Sequence, residues 1–415
     1  MAGRRTLGRQ FGWLWTAYVV SAYGTGFGFG AFPLIAVLVL HCGPAQVAAL
    51  AATGRAVGAL VAVPLGPWVE FRRKRPVMMA MDLVRCAALL SIPAAFALGL
   101  LSFVQLLLVS VATAAADIAF KAASGAYLKS LVPPQDLLVA NGRFESTTWS
   151  ATMIGPPLGG AAIALFGPVT TVLADAVSYL LSALGIRAIG GTEPQPARSA
   201  APRLRAGDLL EGWRHILRHP VLRPLFVNSI VVNGLIMAAD PLMAVLMLGH
   251  LGFAPWQYAL AFAAPCIGGL IGSRLARPLA ARFGQRRMLL ASGVVRACWP
   301  VGLAFVQPGL PGILLVIGVQ LGLVTCCGLF GPLLSTYRLE NTDSELVART
   351  LTAWSIGSSA SIAAMTALWG LLAAATSPRT AIALAGVLLL ATPLLLPRRE
   401  RAPREAADQA AVSLT

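Results

Sequence analysis

The feature that most constrains this chain is a series of about twelve apolar segments, each long enough to cross a lipid bilayer. A basic, proline-rich middle parts them into two sets of six. A spanning helix needs roughly 20 apolar residues. Hydrocarbon satisfies no backbone polar group, so such segments must be helices. They run over 11–40, 45–69, 76–98, 102–127, 144–166, 169–189, 224–249, 255–281, 288–307, 312–336, 346–374 and 379–396. This pattern predicts an all-α polytopic membrane protein of twelve transmembrane helices in two pseudo-symmetric six-helix bundles. The first bundle covers 1–189 and the second 224–397. A linker with an amphipathic helix lies at 190–223 and a tail at 398–415.

Composition agrees, with 57% hydrophobic and 12% charged residues, outside the range of ordinary soluble domains. A net charge of +16 in a soluble protein would point to nucleic acid, but no basic stripe with interleaved aromatics is present. Arg55, Arg85, Lys121 and Arg296 fall within spans and Arg379 in an outer loop; the remaining Lys and Arg gather on the side that holds both termini. By the positive-inside rule that side is cytosolic, where the excess charge faces the cytosol and anionic lipid. Arg far outnumbers Lys, and Ala and Gly are abundant, which suggests a GC-rich bacterial source and a plasma-membrane location.

Chemistry that would make the chain an enzyme is missing from the sequence. Cys86, Cys266, Cys298, Cys326 and Cys327 lie in spans and Cys42 at a boundary, so no disulfide framework is expected. His41, His215, His219 and His250 have no metal-ligand spacing, and no Gly-rich phosphate loop with a following Lys occurs. Neither cofactor nor metal is implied. Arg4, Arg5 and Arg9 precede an apolar stretch too long for a signal peptide, so the first span is expected to stay.

The linker carries Pro194, Pro196 and Pro202, then a helical pattern. Leu209, Leu210, Trp213, Ile216 and Leu217 share one face, with Glu211, Arg214, His215 and Arg218 opposite. Asp208 and Glu211 have the spacing of a cap. That amphipathic pattern predicts a helix lying in the membrane interface. The two halves also repeat. Shifting 64–86 forward by 211 residues lays it on 275–297 without gaps, so that Pro67 meets Pro278, Arg75 meets Arg286 and Arg85 meets Arg296. A duplicated six-span unit is the arrangement of rocking secondary transporters.

At these residues the chain resembles the major facilitator superfamily. Gly66-Pro-Trp-Val-Glu70-Phe-Arg72-Arg73-Lys74-Arg75 looks like the hairpin G-x-L-A-D-R-x-G-R-R of that family. Glu70 takes the Asp place and Lys74 and Arg75 the basic pair; Phe71 and Arg73 depart from the pattern. The second copy keeps Arg282, Gly284 and Arg286 but has Ala281 in the acidic place. The continuation to Asp82 and Arg85, with Leu131-Val-Pro-Pro134, Asn141-Gly-Arg143-Phe-Glu145 and His219-Pro-Val-Leu222, is similar to the branch of the enterobactin exporter and macrolide efflux proteins. The resemblance implies a monomer with a small-molecule substrate, and a Glu70 that helps latch the outward-open state. A further stretch, Ala151-Thr-Met-Ile-Gly155-Pro156-Pro157-Leu158-Gly159-Gly160, resembles the fifth-span motif G-x-x-x-G-P-x-x-G-G of drug exporters, changed only at Ala151. Proline removes a backbone hydrogen bond and glycine admits a neighbouring helix, so the motif suits a tight seal. Gly24, Gly26, Gly28 and Gly30 give the first span two overlapping small-x-x-x-small pairs of the same kind.

A charge at a span's centre costs roughly 2.5–3.5 kcal/mol on insertion scales. Asp117 and Lys121 stand four residues apart on the fourth span, an ion-pair spacing. Asp240 on the seventh span has no partner in its own helix. In the family arrangement the first and fourth spans of each half line the cavity, which places Asp117, Lys121 and Asp240 at the substrate and proton site; Arg55, in the outer half of the second span, is expected either to compensate Asp240 or to bind an anionic substrate. Asp82 and Arg85, three residues apart near the cytosolic end of the third span, are expected to brace the hairpin, and the resemblance makes Asp175 and Arg296, on peripheral spans, structural. Together these readings predict export of a small amphipathic molecule (a drug, siderophore or secondary metabolite) by proton antiport. An importer or facilitator of the same fold, or a membrane scaffold without transport, are the alternatives.

Overall fold

The computed structural model describes residues 7–28, 31–42, 44–190, 193 and 210–397. Among these residues there is no strand. The first half contains α1 (Arg9–Phe27), α2 (Ala31–Leu38), α3 (Pro44–Ala62), α4 (Leu65–Glu70), α5 (Lys74–Ala97), α6 (Phe103–Leu131), α7 (Leu137–Phe166) and α8 (Pro168–Arg187). A short helix α9 (Glu211–Arg218) precedes the second half. There follow α10 (Leu222–Ala244), α11 (Pro255–Ala263), α12 (Cys266–Phe283), α13 (Gln285–Cys298), α14 (Leu310–Glu340), α15 (Val347–Ala375) and α16 (Pro378–Ala391).

Ten helical stretches of the described residues are long and apolar enough to cross a membrane. The second and fifth predicted spans are occupied by α3–α4 and by α7. The first of these is interrupted beside Pro64, and α7 carries Arg143, Glu145 and a run of Ser and Thr that dilutes its hydropathy. Several predicted spans are broken rather than straight. Breaks fall at Pro64 and Pro265, where the ring denies the helix a hydrogen bond, and Pro300 opens a 3₁₀ turn, Pro300–Phe305. A π turn, Val245–His250, ends the seventh span. The chain is thus a multi-pass membrane protein.

In the first half α5 packs on α6 and α8, α3 on α6, and α1 on α7 and α8. In the second half α12 and α13 pack on α14, and α10 on α15. Lipid is as apolar as these side chains, so cohesion comes from close packing. The halves meet where α7 lies against α12 and α14, and where α15 lies against α3, α4 and α6. One apolar cluster crosses the join, bringing Val77, Phe120 and Tyr127 together with Leu339, Val347 and Leu351.

The repeat survives in three dimensions. Lys74 and Gln285, the first residues of α5 and α13, stand 211 positions apart. Arg85 lies over the Phe120 ring at 4.6 Å and Arg296 over the Phe330 ring at 3.6 Å, so each half seats its span-buried arginine on an aromatic ring of α6 or α14. The second hairpin turns at Gly284, whose φ of +91° is left-handed backbone that favours glycine. Beside it Arg282 stacks on Phe283 at 5.2 Å.

The linker helix packs against the transmembrane bundle. Ile216 is fully buried and Trp213 packs with it against the bundle, where α9 rests on α15 and α10. The backbone of Gly212 meets that of Arg349 so closely that a Cβ would lie 2.4 Å from the Arg349 carbonyl oxygen. Among the described residues of the predicted apolar face, Leu210 and Leu217 stay exposed. Asp208 and Leu209 lie outside the described residues, as does the side chain of Arg55, and so does Gly30.

Candidate functional site

Asp117 and Lys121 meet as their spacing requires, Lys121 Nζ lying 2.7 Å from Asp117 Oδ2. Their side chains are 38% and 60% accessible, although both sit mid-helix in α6. They therefore open onto a space between helices. Tyr18 of α1 stands within electrostatic reach of both and of Glu145. It also shares a 2.7 Å hydrogen bond with Thr148 of α7. Two further bonds tie α1 to α7: Trp15 Nε1 donates to Thr147 Oγ1 at 3.1 Å and the Tyr23 hydroxyl to Ser150 at 2.9 Å.

Arg85 and Asp82 are placed differently from the hairpin brace expected of them. Both are buried, Arg85 donates to Asp82, and its other terminal nitrogen lies 3.4 Å from Asp117 Oδ1. The Ser182 hydroxyl of α8 donates to Asp82 at 2.7 Å, and the guanidinium is sandwiched by Phe120 and Tyr179. Two carboxylates and two cations thus form one self-compensated cluster across α5, α6 and α8. Asp175 extends this polar seam. It accepts from Ser178 and, at 3.4 Å, from Thr25 of α1, while the Thr25 and Tyr179 hydroxyls lie 2.7 Å apart.

Asp240 does not join that cluster. Its carboxyl lines a cavity of about 10 Å³, room for roughly one water, together with Ile236 of its own helix, Pro300, Gln320 and Leu389. That cavity belongs to the interior of the second half. Neither Asp117 nor Lys121 is among its lining residues. Among the described residues Asp240 has neither ion pair nor hydrogen bond.

The hairpin closes against the second half. Arg349 of α15 forms an ion pair with Glu70, Nε to Oε2 2.5 Å, and a second with Glu211 of α9. Gly66 lies against Thr352, with the nearest atom 3.1 Å from where a Cβ would stand. Lys74 serves the turn itself, donating to the carbonyls of Val69, Glu70 and Arg72 at 2.8, 2.6 and 2.9 Å. Arg72 stacks on Trp68 at 5.6 Å. The Glu193 carboxylate accepts from the Lys74 and Arg75 amides, and Arg75 donates to the Ile189 carbonyl. Burial pushes the Glu70 carboxyl up to about 7, against the pull of Arg349 and Lys74. On the same face Asn141 donates to Thr336 at 2.9 Å, Ser146 meets Ser273 at 2.7 Å, and Lys129 donates to the Thr342 carbonyl. The Arg-rich face is therefore the closed one.

The glycines of the fifth-span motif pack directly on α1. A Cβ on Gly155 would stand 2.6 Å from the Gly26 carbonyl carbon, and one on Gly159 would stand 2.1 Å from the Phe27 oxygen. Gly160 has nothing within 4 Å. Pro156 and Pro157 lie within the helix. On the other side of α1, Gly24 and Gly28 press on Ser178 and Asp175.

Three residues not predicted as functional stand at these contacts: Glu145, Arg349 and Tyr18. Glu145 and Arg349 each fall just inside a predicted span, where a charge lies near the interface and signals function less clearly than one in mid-span.

The profile described as Major Facilitator Superfamily matches residues 14–326 and 236–413. A protein named multidrug efflux pump Tap from Mycolicibacterium fortuitum is 27% identical over 335 residues, covering 77% of this chain and 78% of its own. An uncharacterized MFS-type transporter, YvqJ of Bacillus subtilis, is 25% identical over 309 residues, covering 73% and 71%. Among solved structures, an outward-facing bacterial homologue of the iron transporter ferroportin superposes with a TM-score of 0.79 at 14% identity, covering 94% of this chain and 98% of that one. The human organic anion transporter MFSD10 gives 0.75 at 14%, with 94% and 100% covered. The chain belongs to the major facilitator superfamily of membrane transporters.

Proposed function

We propose that this protein exports a small amphipathic molecule, a drug, siderophore or secondary metabolite, from the cytosol across a bacterial plasma membrane by proton antiport. It works as a monomer surrounded by lipid, with both termini cytosolic and no cofactor. The observation that carries this reading is the Asp117–Lys121–Arg85 cluster, compensated within itself yet accessible from the space beside Tyr18 and Thr148. The polar groups placed there are the Asp117–Lys121–Arg85 cluster and the Tyr18 and Thr148 hydroxyls; so short a set suits an amphipath better than a sugar, which needs many hydrogen-bonding partners. The contacts on the Arg-rich face support an outward-facing state, and the relatives named multidrug efflux pumps support the direction.

Uptake of ethidium into inverted vesicles tests it. Accumulation should rise with an inside-acid gradient and collapse when the gradient is dissipated. Equal uptake with and without the gradient would remove antiport in favour of a facilitator.

A further inference from the structure

We propose that the carboxylate of Glu145, at the joint between α7 and α14, is the group that carries the coupling proton. The proposal rests on the antiport reading and adds the residue to it. Asp117 is accompanied by two cations, Lys121 and Arg85. Glu145 has none: among the described residues its one hydrogen bond comes from Trp149 Nε1, at 3.0 Å. Its carboxylate rests on the backbone of Gly331, where a Cβ would stand 2.8 Å from both the carboxyl carbon and Oε1. Trp149, the donor, is itself wedged on Gly269 of α12, with its ring atoms 2.3–2.7 Å from where a Cβ would stand. The half-buried acid is therefore clamped between the two halves, beside contacts that must part when the closed face opens.

The groups facing it are few. Trp149 shares its helix, Tyr18 approaches from α1 and Cys327 from α14. Asp117 and Lys121 lie beyond Tyr18. Among the described residues no arginine or lysine is paired with it, so a carboxylate there must either hold a proton or remain an uncompensated charge. Separation of α7 from α12 and α14 would admit water and remove that pressure. The O–H bond of the acid then breaks, its proton passing to cytosolic water and leaving the carboxylate. On return to the present state the carboxylate takes a proton from water of the outward cavity. One cycle moves one proton inward on this group, the direction that export by antiport requires. Asp240, by contrast, lines a cavity walled by residues of the second half.

Full-length protein reconstituted in liposomes decides the matter with ethidium as probe. Wild type is compared with Glu145→Gln and Glu145→Asp for gradient-driven accumulation and for ethidium counterflow without a gradient. Glu145→Gln should lose at least tenfold in accumulation while keeping counterflow, and Glu145→Asp should recover part of the coupling. Infrared difference spectra between acidic and alkaline pH provide a readout that needs no substrate. A protonated-carboxyl band present in wild type should vanish in Glu145→Gln. Gradient-driven accumulation by Glu145→Gln at the wild-type level, or an unchanged carboxyl band, would overturn the assignment while leaving antiport standing. A wild type indifferent to the gradient would overturn both.

Discussion

Arg349 holds two acids from two different parts of the chain: Glu70 at the end of α4, at 2.5 Å, and Glu211 on the linker helix. The guanidinium, 7% exposed, is their shared counter-charge. Removing it should cost more than removing either acid. Arg349→Gln leaves Glu70 and Glu211 without a common cation and should weaken closure by about 2–3 kcal/mol. A fully buried pair would cost roughly 3–5 kcal/mol, and Glu211, at 43% exposure, is better hydrated than that. A cysteine at Thr352, in a chain otherwise free of cysteine, should become accessible to an impermeant thiol reagent from the Arg-rich face. Unchanged labelling would refute the role given to Arg349.

Glu70 contributes in the opposite sense. Closing the face moves its carboxyl from the ordinary 4.5 to about 7, because burial outweighs the pull of Arg349. The closed form therefore binds the proton more tightly than the open one. Closure is most favoured below about 4.5 and weakens as pH rises through about 7. The distance between spin labels on α4 and α15 should broaden toward longer values between pH 5 and 8. In Glu70→Gln that pH response should disappear, with the face remaining closed.

In the α1–α7 joint the contrast between neighbouring glycines is sharp. Gly159→Ala would place a methyl 2.1 Å from the Phe27 oxygen, whereas Gly160→Ala enters open space. Overpacking typically costs about 1–3 kcal/mol, so Gly159→Ala should lower Tm in detergent and reduce transport. Gly160→Ala should match wild type in both. Equal effects of the two would show that the motif acts by bending rather than by contact.

Within the charge cluster, stability and accessibility part company. Arg85→Leu strips the fully buried Asp82 of its cation and leaves it the Ser182 hydroxyl alone, a loss of about 3–5 kcal/mol. Adding Asp82→Asn to the same chain should restore most of the lost Tm. Lys121→Gln, at a side chain 60% exposed, should change stability by less than about 1 kcal/mol.

Much of this was legible in the chain. Apolar length located the spans, the Asp117–Lys121 spacing located that pair, and the shift of 211 residues aligned α5 with α13. What hydropathy cannot convey is rotation about a helix axis. That angle turns Arg85 toward Asp117 instead of the hairpin. Arg349 was obscured by its position near a span end, where a basic residue also serves topology. Glu145 was hidden in a polar stretch that resembles a motif, and only the approach of Gly331 shows how confined it is.

The first span touches α7 through Gly26 and α8 through Gly24 and Gly28, backbone against backbone on one side and backbone against Asp175 and Ser178 on the other. Where Gly26 meets α7 no side chain separates the two backbones, and on the α8 side only the short Asp175 and Ser178 side chains intervene. Displacement of α1 is therefore passed directly to both neighbours. The slack for any motion must lie elsewhere, at the polar contacts between the halves.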